Sequence, residues 1–156
     1  CLLTYRDFED VTARENTGNT IAKLIEHQYI PIINENDTVA IEEILLGDND
    51  KLSALVAGII EADILIIASD IDGLYDDNPH LNPHANLIEI VNNPDEIRKY
   101  AHEKASTLGT GGMTTKIHAA EICRKHDVEM WIVNGGDNNF VVNALEGKIR
   151  FTRFKK

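Results

Sequence analysis

Apolar positions recur along this chain at two spacings. Ile64 to Ala68, ILIIA, is an unbroken aliphatic run. It predicts a strand covered on both faces, as in a parallel sheet. Leu87 to Val91 (LIEIV) and Glu129 to Val133 (EMWIV) predict further strands. YIPIIN reads as a short buried strand ending at Asn34, and TVAIEEIL alternates like a strand or one arm of a hairpin. The opening CLLTYRDF reads as the end of a buried strand. The second spacing is helical. Leu52, Leu55, Val56, Ile59 and Ile60 fall on one helical face. Ile21, Leu24 and Ile25 form a stripe in a helix ending near His27, and Met113, Ile117, Ala120 and Cys123 form another. Asn138 to Glu146 predicts a further helix closed by Gly147. Asn92-Asn93-Pro94 ends a strand and starts a short helix with proline in its first turn.

Strands that alternate with helices predict an α/β domain with a mostly parallel sheet. Ligands of such sheets lie at the carboxyl ends of the strands. The polar segments to examine are therefore NENDTVA after Ile33, SDIDGLYDDNP after Ala68 and NGGDNN after Val133. GDND and GTGGMTT join them, because each opens a helix.

The 156 residues suffice for one domain with a real core. Aromatic content is 6% against 43% hydrophobic, so that core must be mainly aliphatic. Acidic residues outnumber basic ones 26 to 15, a formal net charge of -11, which disfavours nucleic acid as the main partner. The tail RFTRFKK is basic, and its position reads as a solvated end. No apolar run has membrane-spanning length, and two cysteines make no disulfide framework. A reducing, cytoplasmic setting and no membrane partner are expected.

GTGGMTTK, Gly109 to Lys116, resembles a phosphate loop but fails the G-x-x-x-x-G-K pattern. Counted from Gly109, the second glycine falls on Thr114 and the lysine comes one residue late. Gly111-Gly112 nevertheless lets backbone approach a ligand, and the helix that follows turns its positive end toward the same place. Lys116 adds a full charge one turn in. In GDNDKLSAL, two acids flank an amide at a helix start, where a single cap would satisfy the helix; Asp and Asn are also ordinary N-caps. INENDTV puts four polar side chains directly after a strand, either a ligand-binding cleft or a hairpin turn. SDIDGLYDDNP fails the calcium-loop test, since Gly73 comes too early and no Glu closes the loop. His80 and His84 are separated by Leu81-Asn82-Pro83, which excludes the helical zinc pairing.

Taken together, IPIINENDTVAIEEI, GDNDKLSALVA, ASDIDGLYDDNPHLNPHANLI and GTGGMTTKIHAAEI resemble the glutamate 5-kinase family, from about Leu2 to Lys148. INENDTVA followed by GDND-x-LSA is particular to that family. The Gly-rich loop and the SD-x-DG-x-Y stretch are common to amino-acid kinases in general. The resemblance implies a three-layer αβα sandwich, the amino-acid kinase fold, present incompletely. It implies ATP and Mg²⁺ as cofactors and phosphorylation of the glutamate side-chain carboxylate, the first step of proline synthesis. Asn34, Asp37 and Asn49 would bind glutamate. Asp50 would organise the site by holding catalytic lysines. Ser69 and Asp70 would contact the nucleotide; Thr110, Gly111, Gly112, Met113, Thr114, Thr115 and Lys116 would line its phosphates. Lys116 would also stabilise the transferring phosphoryl group. No protein metal ligand is implied. Proline as feedback inhibitor and a homo-dimer or tetramer are further implications.

The resemblance implies that the family's domain begins with another lysine-bearing Gly-rich loop, ahead of the part that residues 1–156 resemble. The expectation is therefore that residues 1–156 form the C-terminal portion of a single kinase domain, incomplete for catalysis alone and without an added C-terminal domain. Two alternatives stay open: a sibling kinase acting on another carboxylate, carbamate or nucleotide, and a non-catalytic module sensing a nucleotide or amino acid.

Overall fold

The computed structural model describes residues 1–39, 49–77, 79, 81–97 and 112–156. Six strands and five helices follow in chain order: β1 (Leu2–Leu3), α1 (Arg6–Glu9), α2 (Val11–Glu26), β2 (Asn34–Glu35), α3 (Asn49–Ile59), β3 (Ile64–Ser69), β4 (Ile90–Val91), α4 (Gly112–Lys125), β5 (Glu129–Asn134), α5 (Phe140–Leu145) and β6 (Thr152–Phe154). A 3₁₀ turn, Pro94–Glu96, follows β4 where the proline signal predicts a short helix.

The main sheet has the order β3-β5-β6-β4. β3 and β5 run parallel in a register that pairs Ile64 with Glu129 and Ser69 with Asn134. β4 and β6 are also parallel, and only β5 and β6 are antiparallel. Alternation along β5 sends side chains to opposite faces. Met130 and Ile132 join Ile67, Val91 and Phe154 in a core covered by α3 and α4. Trp131 and Val133 join Ala144, with Phe140 and Phe151 packed alongside, on the face that α5 covers. Helices on both faces make this an α/β layered fold with a mostly parallel sheet, as the alternation predicts.

α3 and α4 lie along each other. Their most buried residues include Ala54 and Ala57 on one and Ala119 and Ala120 on the other. Leu55 and Val56, on the predicted apolar stripe, are only half-buried. Small side chains carry this contact because they let two helix backbones approach closely. Gly58 shows the same constraint: a Cβ there would come 2.7 Å from the ring of His126.

Three expectations change. The tail is not a solvated end. Thr152 and Phe154 are buried, and β6 sits inside the sheet between β5 and β4. The Thr152 hydroxyl donates to the Ile88 carbonyl (2.7 Å) and accepts from the Leu74 amide (2.8 Å), tying β6 to the loop after β3. A Cβ on Gly73 would run into Thr152, including its backbone nitrogen at 2.9 Å, which explains the glycine there. The basic residues of the tail serve structure too: Arg153 and Lys155 both bond Glu129. Second, YIPIIN is not a buried strand. Only Asn34–Glu35 pairs, in parallel with Leu2–Leu3, while Ile30 and Ile32 are 89% and 83% exposed. The described residues bring no second apolar layer to that face, so its hydrophobic pattern has nothing to pack on. Leu2, in the opening segment read as a buried strand end, is likewise exposed. Third, LIEIV narrows to Ile90–Val91 plus an isolated bridge between Leu87 and Tyr75. Most of TVAIEEIL lies outside the described residues.

Candidate functional site

Short turns follow α3 and α4, closed by Ala62 N to Ala57 O and Val128 N to Cys123 O. Each helix therefore runs back against the strand that comes next, and the helix N-termini share an edge with the strand carboxyl ends. Gly58 near the end of α3 touches His126 just beyond the end of α4, so the two helices are parallel. Two positive dipole ends thus meet at one place, and each favours a negative charge nearby.

Asp50, in the first turn of α3, occupies that place. Its Oδ2 lies 3.0 Å from the Lys116 ammonium and accepts the Thr115 hydroxyl at 3.0 Å. Both charged side chains are mostly covered, 14% exposed for Lys116 and 17% for Asp50. A carboxylate and an ammonium held out of water need each other, since an unpaired buried charge is costly. The structure sets Asp50 against Lys116 in this way. Met113 and Thr114 are half-buried in the same first turn. At Gly112 a Cβ would meet no atom of a described residue within 4 Å. Thr110 and Gly111 lie outside the described residues.

A second cluster closes the same edge at the ends of β3 and β5. Ser69 Oγ donates to the exposed Asp70 at 3.2 Å. The loop after β5 crosses the end of β3: Gly135 N donates to Ser69 O at 2.8 Å, and Gly136 N donates to Asn134 Oδ1 at 2.9 Å. Asp72 then collects two donors, Asn134 Nδ2 at 2.9 Å and the Tyr75 hydroxyl at 3.2 Å. Partial burial, and next the charge of Asp72 and its hydrogen bond, push the Tyr75 phenol above its ordinary pKa. The sequence reading stopped at Ser69 and Asp70 and passed over Asp72, Tyr75 and Asn134 as individuals. The available signal was that Asn134 directly ends a predicted strand, as Ser69 does.

The residues assigned to glutamate are placed less closely. Asn34 is exposed, and its amide donates to the Glu35 carbonyl at 3.4 Å. Asp37 and Asn49 are exposed. β2 packs against α3, which brings Asn34 to the helix that begins with Asn49. No hydrogen bond among the described residues joins Asn34, Asp37 and Asn49 to one another.

Other titratable groups are structural. Burial pushes the Cys123 thiol up to about 12, which leaves it unreactive. Asp76 is held below the ordinary carboxylate range, first by the side-chain amide of Asn86 and then by its backbone amide, and it braces the turn before β4. His84 is an exposed loop residue, and His80 lies outside the described residues. No group of three or more His, Cys, Asp or Glu among the described residues is placed to hold a metal ion. No described helix is long and apolar enough to cross a membrane.

Parallel strands layered with helices thus place a lysine–carboxylate pair where two helix N-termini meet the strand ends. The chain belongs to the amino acid kinase family, whose model matches residues 1–134. It is 44% identical over 156 residues to a glutamate 5-kinase of Idiomarina loihiensis, covering 99% of this chain and 42% of that protein. It is 47% identical to a glutamate 5-kinase of Clostridium acetobutylicum, covering 98% of this chain and 58% of that one. The chain thus spans about half the length of the curated relatives it matches. Among solved structures, UMP kinase from Ureaplasma parvum shares the fold with a TM-score of 0.66 at 22% identity, over 89% of this chain and 53% of that one. An isopentenyl phosphate kinase shares it with a TM-score of 0.59 at 20% identity, over 87% and 50%.

Proposed function

We propose that this chain carries the phosphate-holding half of an ATP-dependent glutamate 5-kinase active site. The observation that supports this most is the Asp50–Lys116 pair between two helix N-termini, in a chain 43–47% identical to proteins named glutamate 5-kinase. A glutamate carboxylate is already a nucleophile at neutral pH, so its attack on the terminal phosphorus needs no general base. An oxygen–phosphorus bond forms, the bond to the leaving diphosphate breaks, and an acyl phosphate results. Such a transfer depends on positioning and charge neutralisation.

Lys116 and the N-terminus of α4 would supply positive charge at the transferring phosphoryl group, and Asp50 would hold the ammonium in place. Met113 and Thr114, with Thr110 to Gly112, would line the phosphates. Ser69 and Asp70 would meet the nucleotide from β3. Asn34, Asp37 and Asn49 would take the glutamate amino and carboxylate groups. Mg²⁺ would accompany ATP, whose phosphates supply most of its ligands, and would neutralise charge that builds on them. A cytoplasmic, homo-oligomeric enzyme that answers to proline completes this reading.

The test is acyl-phosphate formation trapped as hydroxamate, with glutamate, aspartate, N-acetylglutamate and UMP offered as acceptors to a polypeptide that carries residues 1–156. Turnover with glutamate in preference to the other three is expected. Preference for another acceptor sinks the glutamate assignment. Nucleotide binding without turnover on any acceptor would favour a sensing module. Lys116→Ala should lower kcat by roughly 10²- to 10³-fold; turnover within a few-fold of the parent would show that this lysine is not at the transferring group.

A further inference from the structure

Thr115 stands in the stretch expected to line the phosphates, yet its hydroxyl is already engaged. Oγ1 lies 3.0 Å from Asp50 Oδ2, across the gap between α4 and α3. It also lies 3.0 Å from the Gly112 carbonyl, one turn back in its own helix. A threonine hydroxyl has one proton to donate. Of these two acceptors the carboxylate makes the stronger bond, since charge-assisted hydrogen bonds are roughly twice as strong as neutral ones. The Gly112 carbonyl sits in the first turn, where the helix's own amide ladder serves it. With its proton on Asp50, the hydroxyl has only lone pairs to turn toward an anion, and a phosphate oxygen needs donors. Lys116, the next residue, reaches the same Oδ2 at 3.0 Å. Neighbouring residues of one helix turn therefore grip one carboxylate oxygen of the other helix.

We propose that Thr115 is a positioning residue and not a phosphate ligand: its hydroxyl fixes the Asp50 carboxylate, which in turn fixes the Lys116 ammonium. This rests on the kinase reading above and sharpens it. An ammonium on a flexible four-carbon stem is a poor fixed charge unless something orients it. A carboxylate fixed by the adjacent Thr115 hydroxyl provides that orientation before any substrate arrives. Thr114 offers the internal contrast. It is half-buried in the same turn, and its hydroxyl makes no hydrogen bond to a described residue, so its proton is available to a phosphate oxygen.

The experiment compares Thr115→Val, Thr115→Ser and Thr114→Val in ATP-dependent hydroxamate formation, with kcat and the KM for ATP measured separately. Thr115→Val should lower kcat by roughly 10- to 100-fold and leave the KM for ATP within about threefold. Thr115→Ser, which keeps the hydroxyl, should restore kcat to near the parent value. Thr114→Val should act mainly on the KM for ATP. A Thr115→Val protein whose KM for ATP rises while kcat holds would make Thr115 a phosphate ligand and overturn the proposal. Unchanged kinetics in Thr115→Val, or a Thr115→Ser protein as impaired as Thr115→Val, would overturn it as well. Absence of turnover in an unsubstituted polypeptide that carries residues 1–156 together with the rest of the domain its relatives share is a separate result, seen before any variant is compared; it overturns the kinase reading and takes the proposed role with it.

Discussion

At the scale of single residues, two side chains show how differently a polar group is used in this molecule. Asp50 is mostly covered, charged and held by Lys116 and Thr115. Asp50→Asn keeps an acceptor for Thr115 but removes the charge that orients the ammonium. We expect that protein to fold while its kcat falls by at least roughly tenfold, read from hydroxamate formation beside a near-parental far-UV CD spectrum. Thr152 is fully buried and neutral, and both its hydrogen bonds go to backbone. Thr152→Val nearly conserves shape but strands the Leu74 amide and the Ile88 carbonyl. Its expected cost is roughly 2–6 kcal/mol in urea unfolding, since each of the two buried groups left unpaired costs about 1–3 kcal/mol. A loss under 1 kcal/mol would mean that the loop after β3 finds other partners. Asp50 and Lys116 were legible in the sequence because each stands at a helix start among residues that a cap does not need. Thr152 was not, because a lone threonine in a basic tail gives no sign of burial.

At the scale of elements, β6 is held to β5 by charge as well as by backbone. Glu129, at the start of β5, accepts from Trp131 Nε1 (2.6 Å), Arg153 (2.7 Å to Nη2) and Lys155 (3.3 Å). Partial burial pushes its carboxyl up, but those hydrogen bonds and the Arg153 charge outweigh burial and leave its pKa below 4.5. A depressed folded pKa means that this cluster's stabilisation is fully present above the unfolded value near 4.5. It fades as pH falls through the lower folded value. The urea midpoint should therefore decline as pH drops below about 4.5, with the slope reduced in Glu129→Gln. An identical slope in the variant would remove Glu129 from the account of acid sensitivity. The strands ILIIA and EMWIV and the four longer amphipathic or capped stretches were recognisable from spacing alone, since those runs carry their own hydrophobic signal. The placement of RFTRFKK as an inner strand was not, because Thr152 and Phe154 are buried only once β4 and β5 flank them.

At the scale of the whole molecule, the site is an edge property. α3 and α4 are parallel and far apart in sequence, and their first turns meet because β3 and β5 are adjacent and parallel. The sheet in turn depends on β6, which alone joins β4 to the rest. Removing residues 149–156 should abolish cooperative thermal unfolding, because it opens the sheet at its centre and uncovers Met130 and Val91. A truncated chain that keeps a sharp transition within a few degrees of the parent would show that β6 is dispensable. The exposed Ile30 and Ile32 belong to this scale also: their pattern is that of a buried strand, and among the described residues nothing covers them.

Local order was written in the residues themselves. Apolar runs and stripes specified strands and helices, Gly147 closed α5 with φ of +68°, and GDND and GTGGMTTK marked two helix starts with more polar chemistry than a cap requires. Spacing along a chain reports which residues share one element's face, so it reaches no further than one element. The meeting of Asp50 with Lys116, sixty-six residues apart, the crossing of Asn134 to Asp72, and the burial of Thr152 and Phe154 are contacts between elements. Only tertiary packing brought them about: two parallel helices on a shared pair of strands for the first, adjacent strand ends for the second, and the insertion of β6 between β5 and β4 for the third.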